Sequence, residues 1–134
     1  MTAKLLFIAK RGRPDILGAV SFLTTRVKCP DEDDYKKLAR VIRYLRQTLN
    51  IVLTLESDKT HIVKWWIDAS FAVHGDMRSH TGATMAMGKG SLYLTSTRQK
   101  INTKSSTEAE LVGVDDVMPM ILWTKYFLRH KGTR

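Results

Sequence analysis

Two stretches in the first 50 residues place apolar side chains three or four positions apart, which predicts two amphipathic helices. Pro14 and Asp15 suit the first turn of the earlier helix, because the first N–H groups have no helical partner and the positive end of the dipole favours a carboxylate. The apolar positions of this helix are Ile16, Leu17, Val20, Leu23 and Val27. We expect Cys29-Pro30 to end it, since proline cannot continue a helix.

The later helix follows the acidic run 31–34, whose side chains can cap the free N–H groups at a helix start. Its apolar stripe consists of Tyr35, Leu38, Val41, Ile42, Leu45 and Leu49. Its basic residues, which fall largely on the other faces, are Lys36, Lys37, Arg40, Arg43 and Arg46. Two interpretations of these cations carry equal weight: they form the solvated side of an ordinary amphipathic helix, or they face phosphate groups.

Between residues 49 and 96 the sequence predicts β-strands. Its β-branched and aromatic residues predict a short strand over 49–55 and a longer one over 62–71, in or at the end of which Asp68 lies. Two further short strands fit 82–87 and 91–96, and Gly88-Lys89-Gly90 between them is typical of a hairpin turn. The last three strands are expected to pair in a mainly antiparallel sheet.

A long helix is predicted to begin near residue 105. Ser105 with Glu108, or Thr107 with Glu110, has the spacing of a capping box. We expect Pro119 to kink this helix or break it in two, because proline removes one hydrogen bond of the helix ladder. The predicted fold class is therefore α+β, with two amphipathic helices followed by three mainly antiparallel strands and a long helix.

Composition narrows the class of protein. The 134 residues include 22 Lys and Arg against 13 Asp and Glu, and the net charge of +9 suits a polyanionic partner such as nucleic acid. No apolar run approaches the roughly 20 residues of a membrane span, and the first ten residues lack the pattern of a signal peptide. The single cysteine, Cys29, excludes an internal disulfide framework and is compatible with a reducing compartment.

Two carboxylates stand out by their positions. Asp68 follows apolar residues in a predicted strand; it either caps a turn or, if buried, needs a partner such as a metal ion. Glu110 is expected to head the helix stripe of Val114, Val117 and Ile121 that presses on the sheet. A strand carboxylate and a helix carboxylate that both point inward can supply oxygen ligands to Mg²⁺. We expect their carboxyl oxygens to lie within about 4–7 Å of each other.

The other candidate groups argue against alternative chemistries. Glu108, Asp115 and Asp116 fall on other faces of the long helix and are interpreted as solvated charges or caps. The four histidines show no helical i, i+4 pairing and no cysteine neighbours, which makes a zinc site improbable. The segment 105–107 lacks the glycines of a nucleophile elbow.

Several motifs in order resemble the ribonuclease H region of copia-type retrotransposon polyproteins. The stretches 66–71 and 75–82 resemble the opening of that region, and 96–100 followed by 105–111 is similar to its most specific signature. Upstream, 6–16, 20–26 and 38–45 resemble the segment that joins reverse transcriptase to ribonuclease H. The resemblance covers about residues 4 to 130.

The resemblance implies a division at residue 56. Residues 1–56 would be a helical segment like the thumb or connection of reverse transcriptase, and 57–134 a partial ribonuclease H-like domain. It further implies Mg²⁺-dependent cleavage of the RNA strand of an RNA–DNA hybrid, with Asp68 and Glu110 as catalytic and metal-binding carboxylates. Asp76 matches a motif position but is not carried over as a ligand. An intracellular location, in the cytoplasm or a retroelement particle, is the corresponding expectation.

The later catalytic carboxylates of the family lie beyond the point where this sequence ends, at Arg134. We therefore expect the 134-residue chain alone to be inactive and the ribonuclease H-like unit to be incomplete. Its sheet would lack a neighbouring strand, so self-association through the open edge is expected. Two alternatives stay open: a non-catalytic remnant that binds nucleic acid, and a domesticated interaction module.

Overall fold

The computed structural model describes residues 1–132, and it confirms the predicted α+β class. Residues 133 and 134, which end the second predicted domain, lie outside the described part. The helices are α1 (Thr2–Arg11), α2 (Leu17–Arg26, preceded by a 3₁₀ turn at Pro14–Ile16), α3 (Glu32–Gln47) and α4 (Ser106–His130). The strands are β1 (Glu56–Ser57), β2 (Lys64–Ser70), β3 (His80–Ala86), β4 (Gly88–Lys89) and β5 (Tyr93–Arg98).

The first three helices enclose one apolar core. Its buried members are Leu5, Ala9, Ile16, Leu17, Val20, Leu23 and Val41. Helix α1 was absent from the sequence-based prediction, because its apolar residues 5–8 are consecutive and such a short apolar run does not distinguish a helix from a strand. Leu5 and Ala9 pack against α2, and this tertiary contact stabilises α1; it cannot be predicted from the sequence of α1 alone.

Helices α2 and α3 match their predicted positions, and polar contacts fix their ends. The Asp31 side chain accepts a hydrogen bond from the Asp34 N–H at 2.7 Å, and the Asp34 carboxylate accepts one from the Asp31 N–H, which completes a capping box. Arg13, buried before the 3₁₀ turn, forms an ion pair of 2.8 Å with Asp15 and donates to the Thr48 carbonyl at 2.9 Å. The start of α2 and the end of α3 are thereby joined.

Strands β2, β3 and β5 form the predicted three-stranded antiparallel sheet, and their order is β2-β3-β5. The register pairs Asp68 with Gly82 and Gly82 with Ser96, so these three residues share one rung. One edge of β2 has no neighbouring strand among the residues that the structure describes. The helical core packs on the far side of the sheet from this edge, where α2 contacts β5 and the Ser21 hydroxyl donates to the Ser96 carbonyl.

The predicted strand over 49–55 is wrong, because this stretch has no regular structure. Strand propensity depends on available pairing partners, and only Glu56–Ser57 finds one, at β4. Residues 88–90 lie in the connection from β3 to β5 as predicted, but Gly88–Lys89 is strand β4 and not part of a simple hairpin turn, and the two glycines account for the contact with β1. A Cβ on Gly88 would lie 2.1 Å from the Glu56 carbonyl oxygen, and one on Gly90, which has φ +76°, would lie 2.3 Å from that of Thr54. The turn therefore lets the incoming backbone approach closely.

Helix α4 begins at the predicted cap, where the Ser105 hydroxyl accepts a hydrogen bond from the Glu108 N–H at 3.1 Å. The predicted break at Pro119 does not occur, since α4 is continuous to His130. Pro119 and Asp115, whose carbonyl loses its helical partner, are both exposed, so water can satisfy that carbonyl. None of the helices described over residues 1–132 is both long enough and apolar enough to cross a membrane.

Small residues carry the contact between α4 and the sheet. The buried positions of α4 are Ala109, Gly113, Val117 and Thr124. A Cβ placed on Gly113 would lie 3.4 Å from the Cβ of Ala69 and 3.5 Å from Cγ2 of Thr81. The helix backbone therefore lies close to β2 and β3, and an added Cβ would already contact both strands, which leaves little room for atoms beyond it.

We expect Gly113→Leu to lower the free energy of unfolding by about 1–3 kcal/mol, because the added atoms must displace α4 from the sheet. The matched control is Gly18→Leu in α2, where an added Cβ meets no atom within 4 Å. Both changes gain helix propensity, so their difference isolates packing. Urea unfolding measures it, and equal stability of the two variants would contradict the described contact.

Candidate functional site

Asp68 lies in β2 with an exposed side chain. Side chains alternate along a strand, and neighbouring Ala69 points to the face that α4 covers. Asp68 therefore points to the opposite face, toward the helical core. Among the described residues its carboxylate has neither a hydrogen-bond partner nor an ion-pair partner. The interpretation of Asp68 as a buried, inward-pointing group is thus not supported.

Glu110 is exposed and does not head the stripe that presses on the sheet, so its predicted position is wrong; of the predicted stripe, Val117 is buried and Ile121 is half-buried. The helix uses Ala109 and Gly113 for its contact, because small residues allow close approach, whereas Val114 is 40% exposed. Glu110 lies about 60° around the helix from Gly113. On that same flank, Ile121 borders a hollow together with β2 residues Val63 and Trp65. Glu110 is therefore on the flank of α4 that looks toward the free edge of β2.

The two predicted site residues thus flank one sheet edge from its two faces. Helix α4 runs antiparallel to β2, since Gly113 lies against Ala69 while Ile121 lies near Trp65. Glu110, one turn before Gly113, consequently lies toward the C-terminal end of β2, the end that contains Asp68. Because Asp68 points to the face of the helical core and Glu110 lies on the helix that covers the other face, the interpretation that both carboxylates point inward is not supported, and their close approach stays a prediction. Within residues 1–132 no cluster of three His, Cys, Asp or Glu side chains can hold a metal ion.

A groove of about 500 Å³ runs past Asp68 between the sheet and the start of α2. Pro14, Leu17 and Gly18 form one wall, and Trp66, which is 52% exposed, forms part of the other. Gly82 and Ser96, which lie beside Asp68 on the neighbouring strands, form part of the groove floor. The groove therefore presents a carboxylate beside an exposed indole ring.

Gln99 connects the site-bearing elements. Its side chain is 1% exposed, and Nε2 donates to Thr81 Oγ1 at 3.0 Å and to the Ala109 carbonyl at 2.8 Å. The Thr81 hydroxyl in turn donates to an Asp116 carboxylate oxygen at 3.3 Å, so Asp116 faces the sheet flank and is not merely solvated. Gln99 therefore fixes the first turns of α4, and with them Glu110, relative to the sheet.

A chain of polar groups that the sequence did not indicate lies where the helical core meets the sheet. His74 Nε2 lies 3.0 Å from His80 Nδ1, and His80 Nε2 lies 2.7 Å from Ser96 Oγ. The His74 ring also stacks on Phe22 of α2, with centroids 5.8 Å apart. Burial lowers the pKa of both imidazoles; Arg98 lowers that of His74 further, although Asp76 opposes this, and His74 lowers that of His80. Both rings are therefore favoured in the neutral form.

Comparison with known proteins finds relatives among transposon polyproteins. The chain is 31% identical over 121 residues to the "Retrovirus-related Pol polyprotein from transposon TNT 1-94" of Nicotiana tabacum, with 90% of the chain covered. It is 32% identical over 123 residues to the corresponding polyprotein from transposon RE1 of Arabidopsis thaliana, with 91% covered. The chain is homologous to a segment of transposon Pol polyproteins. It spans 9% and 8% of the lengths of these two relatives.

A third relative is a much shorter protein. The chain is 27% identical over 122 residues to "Secreted RxLR effector protein 161" of Plasmopara viticola, and it covers 84% of that protein. No protein-family model matches the chain, and no solved structure matches it. The Pol-related segment described here is therefore similar both to parts of long polyproteins and to a protein of nearly its own length.

The neutral histidine pair makes stability depend on pH. Because the pKa values of His74 and His80 are lowered from the ordinary 6.5, the unfolded chain binds more protons than the folded chain below that pH. The free energy of unfolding should therefore fall as the pH drops below about 6.5, and it should level off above it. Urea unfolding from pH 7.5 to 5 measures this slope.

The variant His74→Gln should reduce the slope, whereas His61→Gln, at an exposed position, should retain it. A slope that persists unchanged in His74→Gln would assign the pH dependence to other groups.

Proposed function

We propose that this chain is a piece of a retrotransposon polyprotein in which 1–56 is a reverse-transcriptase-like helical segment and 57–134 begins a ribonuclease H-like domain. In the longer polyprotein that domain cleaves the RNA strand of RNA–DNA hybrids. The observation that carries the proposal is the similarity to transposon Pol polyproteins over nine tenths of the chain. The location of Asp68 in the edge strand β2 agrees with it.

The chain alone does not complete a site for Mg²⁺. Asp68 and Glu110 offer the oxygen donors that this ion prefers. However, phosphodiester hydrolysis with two metal ions uses about four carboxylates, and the described residues form no cluster of even three acidic or histidine ligands. The free edge of β2 leaves space for a further strand that carries additional acids. Activity therefore requires more of the polyprotein than this segment, while Asp68 and Glu110 supply two of its ligands.

Helix α3 is the part of the surface best suited to contact phosphates. Arg40, Arg43 and Arg46 repeat every three residues, are exposed, and have no ion-pair partner within the described chain. Lys36 and Lys37 on the same helix are instead paired with Glu32 at 3.4 Å and Asp33 at 2.7 Å. Since these three arginines are not paired with carboxylates among the described residues, they can contact a polyanion directly, which favours the phosphate-facing interpretation of α3.

A second candidate function is a stand-alone, non-catalytic module. It is favoured by the similarity to an effector protein of which this chain covers 84%. On this alternative the fold and the basic surface are retained without hydrolysis. The two candidates differ in what happens when the missing part of the ribonuclease H-like domain is supplied.

The purified chain should bind an RNA–DNA hybrid weakly, with an affinity that falls steeply as salt rises, and should not cleave it with Mg²⁺. Binding follows from the charge of +9, because each neutralised phosphate releases counterions. Absence of cleavage follows from the incomplete ligand set. Fluorescence anisotropy and a gel assay on a labelled hybrid measure the two, with Asp68→Asn as control. Mg²⁺-dependent cleavage that Asp68→Asn abolishes would contradict the inactivity, and absence of binding at low salt would favour an interaction module.

The double variant Arg40→Gln, Arg43→Gln should weaken hybrid binding and lower the slope of log affinity against log salt by about 2, one for each lost phosphate contact. The matched double variant Lys36→Gln, Lys37→Gln removes the same charge but from cations that are already paired. It should change the slope by less than 1. Equal effects of the two doubles would show that only net charge matters and that α3 holds no specific phosphate contact.

A further inference from the structure

The side of α4 that points away from the sheet carries a row of apolar residues. Leu111, Val114, Met118 and Leu122 follow one another at spacings of three and four residues, and we call these four residues the outer stripe. Their exposed fractions are 67%, 40%, 38% and 41%. A helix at a protein surface ordinarily carries polar residues on the side opposite its core contact. Because α4 is apolar on both sides, it fits a position between two packed layers.

The charges of α4 are divided between its two halves. From Ser106 to Val117 the charged residues are all acidic: Glu108, Glu110, Asp115 and Asp116. From Met118 to Lys131 the residues with fixed charge are all basic: Lys125, Arg129 and Lys131. Each half suits its end of the helix dipole. The division also makes the helix complementary to an inverted copy of itself.

We propose that the outer stripe is the interface between two copies of this chain, with the two α4 helices antiparallel about a two-fold axis near Met118. In this register Met118 meets its own equivalent and Val114 lies opposite Leu122 of the second copy. The acidic half of each helix faces the basic half of the other. A two-fold interface requires a self-complementary surface. Val114, Met118 and Leu122 provide its apolar contact around the axis, Leu111 lies opposite Lys125, and the oppositely charged halves of the two helices provide its charge complementarity.

Two other occupants are less well matched. Pairing through the free edge of β2, which the sequence predicted, uses backbone groups that have no means of selecting a second copy. A different protein would need its own reversed pattern of charge, whereas a second copy of this chain has it by construction. The inference does not depend on any catalytic role, since it uses no residue of the groove.

Sedimentation equilibrium at micromolar to about 100 μM chain tests the proposal, and wild type should be a dimer at the upper end. Met118→Glu places two like charges at the axis and should weaken association by at least tenfold. The matched variant Trp66→Glu, at an exposed position of β2, should leave the dimer intact. A monomeric wild type, or a dimer that only Trp66→Glu dissociates, would overturn the proposal.

Cross-linking establishes the orientation without relying on a destabilising substitution. In a Cys29→Ser background, which removes the single natural thiol, Met118→Cys should cross-link to itself with a short thiol-reactive reagent. Leu111→Cys should not, because the two copies of residue 111 lie about 21 Å apart in the antiparallel pair. A mixture of Leu111→Cys with Lys125→Cys should give the mixed product. Self-cross-linking of Leu111→Cys, or none by Met118→Cys, would contradict the antiparallel interface.

Discussion

The close approach of α4 to the sheet determines most of the remaining geometry. Ala109 and Gly113 bring the helix backbone close to Ala69 and Thr81, and a long side chain at Gly113 would not allow this separation. Gln99 then joins the end of β5, the β3 hydroxyl and the first turn of α4 through two hydrogen bonds. Because the rotation of α4 is fixed in this way, Glu110 is held on the flank beside β2, and Leu111, Val114, Met118 and Leu122 point outward.

Sequence patterns predicted the elements whose stabilising contacts are local or periodic. Capping residues and apolar stripes in the sequence predicted helices α2 and α3, and the glycines at 88 and 90 predicted the pairing of β3 with β5. The predictions failed where tertiary contacts determine the secondary structure or the orientation of a helix. Helix α1 is stabilised by its contact with α2, and 49–55 lacks a strand partner. The face of Glu110 was misjudged because large apolar residues were expected to mark the sheet contact, whereas the contact uses an alanine and a glycine. The histidine chain joins residues from a turn and two strands, and no sequence period links them.

The candidate site belongs to an edge and not to an enclosed cavity. Asp68 approaches the margin of β2 from the face of the helical core, and Glu110 lies beside that margin on the opposite face. The two carboxylates of this candidate site therefore lie on opposite faces of the sheet, beside the free edge of β2. Under the proposed function, chemistry at this edge requires a further strand; the chain covers less than a tenth of each of its two polyprotein relatives. The outer surface of α4, by contrast, is available to a partner whether or not the sheet is extended.

The irregular connection from α3 to β2 has a consequence for how this segment can change during evolution. The chain leaves the helical core, which rests on β5, and must reach β2 at the opposite side of the three strands. Sixteen residues, 48–63, cover this path, and they are anchored midway by the glycine turn at 88–90. Lengthening a flexible connection costs little, since closure entropy grows only with the logarithm of its length. Insertions among related sequences should therefore accumulate on either side of 54–57, while the backbone at that anchor keeps its conformation.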